Sequence, residues 1–289
     1  MGESFTFLPG LGANGIQAEE GNISLTAGAD ISLEKSVIRS DSSSAQNSGE
    51  ISLLSNRLIL GNSGQIGSSA SGTGNAGNIR IQASEVLLAS TDNREATILT
   101  STRNAGGGRA GNIEIESERL VLRNGSSILS TTIGAGDAGN ITISSGSVLL
   151  EGLAEDSDAN RIIAANLPGS TGKSGTVQIT ATKKVLLLGG ASVYAGTSND
   201  QASGLVEINA PEIELSGFPD RTGFISTEVV EAGASNPAGS AGQIRISTER
   251  LTARDNARIS ASSRLANAAI LKLSDRRYRS IEPRINCVP

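Results

Sequence analysis

The chain has 289 residues, with 35 Gly, four Phe, two Tyr, no Trp, no His, one Cys and a formal net charge of −5. Without His the Ser-His-Asp and Cys-His nucleophile systems are excluded within this chain, and so are zinc sites built on His or Cys. Lys and Arg are scattered, which leaves no electrostatic footprint for nucleic acid and no basic amphipathic segment for a membrane surface.

In chain order, residues 1–20 form an N-terminal segment that contributes at most part of a structural repeat. The opening "MGESFTFLPGLG" lacks the basic segment and apolar stretch of a signal peptide. If the protein is exported, the exporting sequence is expected outside this chain.

From residue 21 the sequence repeats itself. A glycine, any residue, an aliphatic, a polar residue and an aliphatic recur from Gly21, Gly49, Gly77, Gly111, Gly139, Gly175, Gly204 and Gly242, at intervals of 28, 28, 34, 28, 36, 29 and 38 residues. The simplest unit is 28 residues with insertions. Each unit holds three short strands. The first alternates aliphatics, as at Ile79 and Ile81; the second does the same, as at Leu58 and Leu60. The third carries one clear aliphatic, as at Ile38, Ile66, Ile98, Ile128, Val193, Ile225 and Ile259. Period-two alternation sends every second side chain to one face. Repeating it at the same phase buries those faces if each unit is a coil stacked about 4.8 Å above the last. The expected fold is therefore all-β, a right-handed parallel β-helix of about eight coils of 28 residues with three strands per coil, forming one domain over residues 21–273. "NAAILKL", from Asn267 to Leu273, fits a ninth first strand, and residues 274–289 leave the pattern as an irregular tail.

Two stretches mimic functional loops. "STGKSG" at 170–175 resembles a phosphate loop, but Leu167 stands where its first glycine belongs and a strand follows instead of a helix. Lys173 occupies the slot held elsewhere by Asn75, Arg109, Asp137 and Ser240, a solvated turn that accepts either charge, so no nucleotide partner is expected. In "EDSDAN", Asp156, Asp158 and Asn160 have the alternate spacing of a calcium loop. Arg161 replaces its turn glycine and the terminal Glu is missing, so the segment reads as a solvated acidic loop; no metal or cofactor is implied.

The corner between second and third strands is expanded in coils three, five and seven: "ASTDNREAT", "EGLAEDSDANR" and "SGFPDRTGF". Loops on a rigid scaffold form a natural recognition surface. The candidate ligand-binding residues there are Asp92, Asn93, Arg94, Asp156, Asp158, Asn160, Asp220 and Arg221. No catalytic residue is assigned. The rival readings are a polysaccharide-active β-helix and an inert spacer. Against the first, Glu114 and Glu207, the two acids on the first-strand face, lie three coils or about 14 Å apart. Glycoside hydrolysis needs its carboxylates about 5–9.5 Å apart.

The "AGNI" anchors, with "LVLRNGSSILSTT" and "LTARDNARISASS", resemble the filamentous haemagglutinin-like surface proteins, cyanobacterial ones above all, over roughly residues 15 to 265. The resemblance implies a non-enzymatic, secreted or cell-surface adhesin shaft, part of a larger protein. It also implies export by two-partner secretion through an outer-membrane transporter and binding to glycans or proteins of host or neighbouring cells. The Asn-Pro-Asn motifs of that family's secretion domain are not found in this sequence.

Overall fold

The computed structural model describes residues 5–7, 15–90, 94–103, 107–152, 160–229, 239–262 and 270–275. Among them there is no helix, and the strands lie in two sheets, one of 13 strands and one of nine. Successive strands in both sheets pair in parallel. The fold is a parallel β-helix. Seven turns separate Gly21 from Gly242, so the anchors define eight coils, named here one to eight.

Aliphatic ladders fill the interior. In the first, Ile23, Ile51, Ile79, Ile113, Ile141, Val177, Val206 and Ile244 are successive register partners. None is more than 6% exposed. The third-strand ladder runs through Ile38, Ile66, Ile98, Ile128, Ile162, Val193, Ile225 and Ile259. Ile162 supplies the coil-five member that the sequence pattern had left open.

The first two strands are separate, as expected, in coils one, seven and eight, but not in the coils between. In coils two to six they are continuous, as in Ile51–Gly61, Ile79–Ala89 and Ile113–Arg123. The corner survives as a change of phase: Ile51, Leu53 and Ser55 point inward, Asn56 and Arg57 both turn out, then Leu58 and Leu60 point inward. The backbone bends there without losing its ladder of hydrogen bonds, so three faces share two sheets. In coil seven Pro211 separates Leu205–Asn209 from Glu212–Ser216, because proline has no N–H to give. Coil six carries its extra residue at this same corner. The pairing steps from Ser145–Ala181 to Ser147–Lys184, a bulge that accounts for the 29-residue interval from Gly175 to Gly204.

The glycine anchors are explained by closeness. A Cβ on Gly49, Gly77, Gly111 or Gly175 would lie 2.0 Å from the carbonyl oxygen of the anchor one coil below. Hydroxyls clamp the same column. Ser40 Oγ accepts from the Gly49 N–H (2.9 Å) and donates to the Gly21 carbonyl (2.8 Å). Ser130 Oγ joins Gly139 and Gly111 in the same way, at 2.9 Å each. In coils five and six that place is taken by Ala164 and Ala195, and their backbone carbonyls accept from Gly175 and Gly204 instead, at 3.1 and 2.7 Å.

The asparagines after the anchors stack on one another. Asn78 Oδ1 accepts from the Asn112 N–H, Asn112 Oδ1 from Asn140 and Asn140 Oδ1 from Thr176, each at 2.8 Å. Arg80 pairs with Glu114 one coil on, at 2.9 Å. Glu207 and Arg245 are register partners in the same way, but no ion pair joins their side chains. Glu207 instead accepts from Gln178 (3.2 Å), and Arg245 donates to Gln243 (2.9 Å).

Outside the anchored coils, Phe5–Phe7 pairs with Asp30–Glu34 and Gly15–Glu19 with Val37–Ser42. At the other end, Ile270–Asp275 pairs with the first strand of coil eight, placing Leu271 over Ile244 and Leu273 over Ile246.

Candidate functional site

The edge between second and third strands turns sharply in the short coils. Asn62 and Ser63, Asn124 and Gly125, Gly189 and Gly190, and Asp255 and Asn256 are consecutive residues of positive φ. Two left-handed residues reverse the chain in minimal space, which is why Gly and Asn collect there. The expanded corners leave the strands on both sides in place. Leu88, Leu122 and Leu150 remain register partners across coils three to five, as do Ile98, Ile128 and Ile162.

The candidate residues fare differently. Asp92, Asn93, Asp156 and Asp158 lie outside the described residues. Arg94 is exposed, with its N–H donating to Ser90 Oγ (3.3 Å). Asn160 is fully buried, and its Oδ1 accepts from the Ser126 N–H at 3.0 Å, so that oxygen serves the scaffold. Asp220 is exposed at the tip of a tight turn closed by Phe218–Arg221 backbone bonds of 2.7 and 3.2 Å. The Arg221 stem lies over Gly190, where a Cβ would meet its Cδ at 2.4 Å. Beside these corners Glu95 in coil three forms an ion pair with Arg161 in coil five, and Ser127 Oγ of the coil between them donates to Glu95 at 3.5 Å.

The structure assembles a groove that the sequence did not announce. It is shallow, about 450 Å³, and runs along this edge from coil five to coil eight. Phe218 and Pro219 form one wall, with the Phe218 ring above Gly189, where an added Cβ would lie 3.0 Å from Cε2. Glu151, Arg254, Asp255 and Asn256 supply the polar margin. Its acids are already paired: Glu151 with Arg123 (2.9 Å) and Asp255 with Arg254, which also holds Glu214 (2.7 Å). Those contacts, Glu214 first, raise the Arg254 pKa and keep the guanidinium charged. Glu151 and Asp255 stand on coils three steps apart, about 14 Å by strand spacing. That span exceeds the separation of a glycosidase pair. The signals available in the sequence were the Gly189-Gly190 pair, which leaves room for a ring, and the lone Phe-Pro in a corner.

The phosphate-loop lookalike is a stacked turn. The Lys173 N–H donates to Asp137 Oδ1 one coil below (2.9 Å), and a Cβ on Gly172 would lie 1.9 Å from the Gly136 carbonyl oxygen.

Comparisons with family models, curated proteins and solved structures gave no match to the chain.

Proposed function

We propose that this chain is the non-enzymatic shaft of a haemagglutinin-like surface adhesin, in which a stiff β-helix displays recognition loops along one corner edge. The observation that supports this most is the unbroken register on both sides of the expanded corners. Length varies where it does not disturb the ladders, so that edge is free to diversify while the rod stays constant. Export through an outer-membrane two-partner transporter, and glycans or proteins of other cells as ligands, belong to the same proposal.

The test is a glycan and cell-surface binding screen of the purified protein beside a variant whose coil-seven corner, Phe218 to Thr222, is replaced by Asn-Gly. Binding by the parent that the variant loses supports the proposal. Release of sugar fragments during the screen would overturn it in favour of a polysaccharide-active enzyme, and absence of any binding would leave a spacer.

A further inference from the structure

The outer face of the second strands carries a pattern distinct from the corner loops. Its central column is Ile59, Leu87, Val121, Leu149 and Leu186 in coils two to six. All five point away from the core. Val121, flanked by Leu87 and Leu149, is 1% exposed, and the other four are half-buried. An aliphatic stripe of this length on a flat outer face is uncommon unless something covers it.

Charged columns border the stripe. On one side coils one to eight read Asp30, Arg57, Glu85, Arg119, Ser147, Lys184, Glu212 and Arg250. On the other side they read Glu34, Gly61, Ala89, Arg123, Glu151, Leu188, Ser216 and Arg254. Let a second copy lie face to face and antiparallel, related by a two-fold axis that passes between coils four and five along the strand direction. Coil one then faces coil eight, two faces seven, three faces six and four faces five. Asp30 meets Arg250, Arg57 meets Glu212 and Glu85 meets Lys184; on the far side Glu34 meets Arg254 and Arg123 meets Glu151. No like charges meet. Leu87 falls on Leu186 and Val121 on Leu149, while Ile59 faces Glu214, which Arg254 of its own chain holds.

Corner lengths agree with this register. By sequence length, the expanded corners of coils three, five and seven would stand opposite the two-residue corners of coils six, four and two. The first-strand face has no such symmetry: Arg80 would meet Gln178, and Glu114 would meet Thr142.

We propose that this face is a self-complementary interface that joins two copies of the chain antiparallel, with coil n of one over coil 9−n of the other. The face spans about 34 Å by 15 Å, hence about 500 Å² per copy. That places the pair near the lower limit of specific interfaces and makes it a reversible association. The charged columns, whose members also pair within each chain, add contacts between the copies, so added salt weakens the association.

Sedimentation equilibrium tests the association. At low salt the mass should rise with concentration from 29.4 kDa towards twice that value, and fall back when salt is added. Leu149→Lys should abolish the rise. Leu54→Lys, on the first-strand face where Leu54 is 44% exposed, should not. Both positions point outward, and unchanged thermal unfolding of each variant confirms that the rod is intact. Register is read with a short bis-maleimide, because facing sheets about 10 Å apart are too far for a direct disulfide. In a Cys287→Ser background, Leu87→Cys with Leu186→Cys should give covalent dimer, and neither substitution alone should. Covalent dimer from Leu87→Cys alone, or a mass of 29.4 kDa at every concentration, would overturn the proposal.

Discussion

A β-carbon on Gly139 would lie 2.1 Å from the carbonyl oxygen of Gly111, one coil below. Neither glycine has positive φ, so the residue is required by its neighbour and not by its own backbone. Gly139→Ala forces two coils apart in the middle of the rod, and the expected loss is about 3 kcal/mol, at the upper end of overpacking costs. Gly67→Ala is the control, since its nearest atom would be at 3.7 Å. There the gain in backbone order should stabilise by about 0.5–1 kcal/mol. Urea unfolding of the two variants checks both signs.

Ser130 tests the hydroxyl clamp. Ser130→Ala leaves the buried Gly139 N–H without its acceptor and should cost about 1–3 kcal/mol. Ala164→Ser, at the equivalent place in coil five, should bring no gain, because the Ala164 carbonyl already accepts from Gly175 at 3.1 Å. Chemical denaturation of the pair decides whether the column is read correctly.

The asparagine stack separates acceptor from amide. Asn112→Ala removes the oxygen that holds the Asn140 N–H and should lower stability by about 1 kcal/mol. Asn112→Asp keeps an acceptor there, as Asp137 does for Lys173 at 2.9 Å, and should retain most of the stability. Melting temperatures of the two variants are the comparison.

Tyr194 gives a pH dependence. Burial, then the charge of Glu228, pushes its hydroxyl pKa well above the ordinary 10.0. The folded state therefore holds this proton more tightly than the unfolded one. Stability from this group is intact below pH about 10 and falls as pH rises above it, by up to about 1.4 kcal/mol per pH unit. Tyr194→Phe should flatten that alkaline decline, read from unfolding midpoints between pH 9 and 11.5, at about the range where tyrosine titrates.

The ladders were legible because they obey two periods at once, alternation within a strand and recurrence at each glycine anchor. Ile79 between Ile51 and Ile113 needs no other information. The fused first and second strands were not legible. Whether Asn56 and Arg57 break a strand or bend it depends on whether the backbone ladder continues, and side-chain pattern does not report that. The anchor glycines were visible as markers, but their cause, a carbonyl one coil away, is a contact between residues 28 or more apart. The groove was hidden for a similar reason. Glu151, Phe218 and Asn256 come together only through the stacking, and Asn160, a loop residue by its sequence, is buried in the interior.

The parallel stacking has a mechanical consequence. Among the described residues the hydrogen bonds between paired strands run along the rod, so tension between its ends loads the coils in series, and the chain between anchors is slack held in reserve. A coil that peels away frees about 28 residues, which extend by about 90 Å. Pulled at its ends, such a rod yields one turn at a time and stays continuous while lengthening.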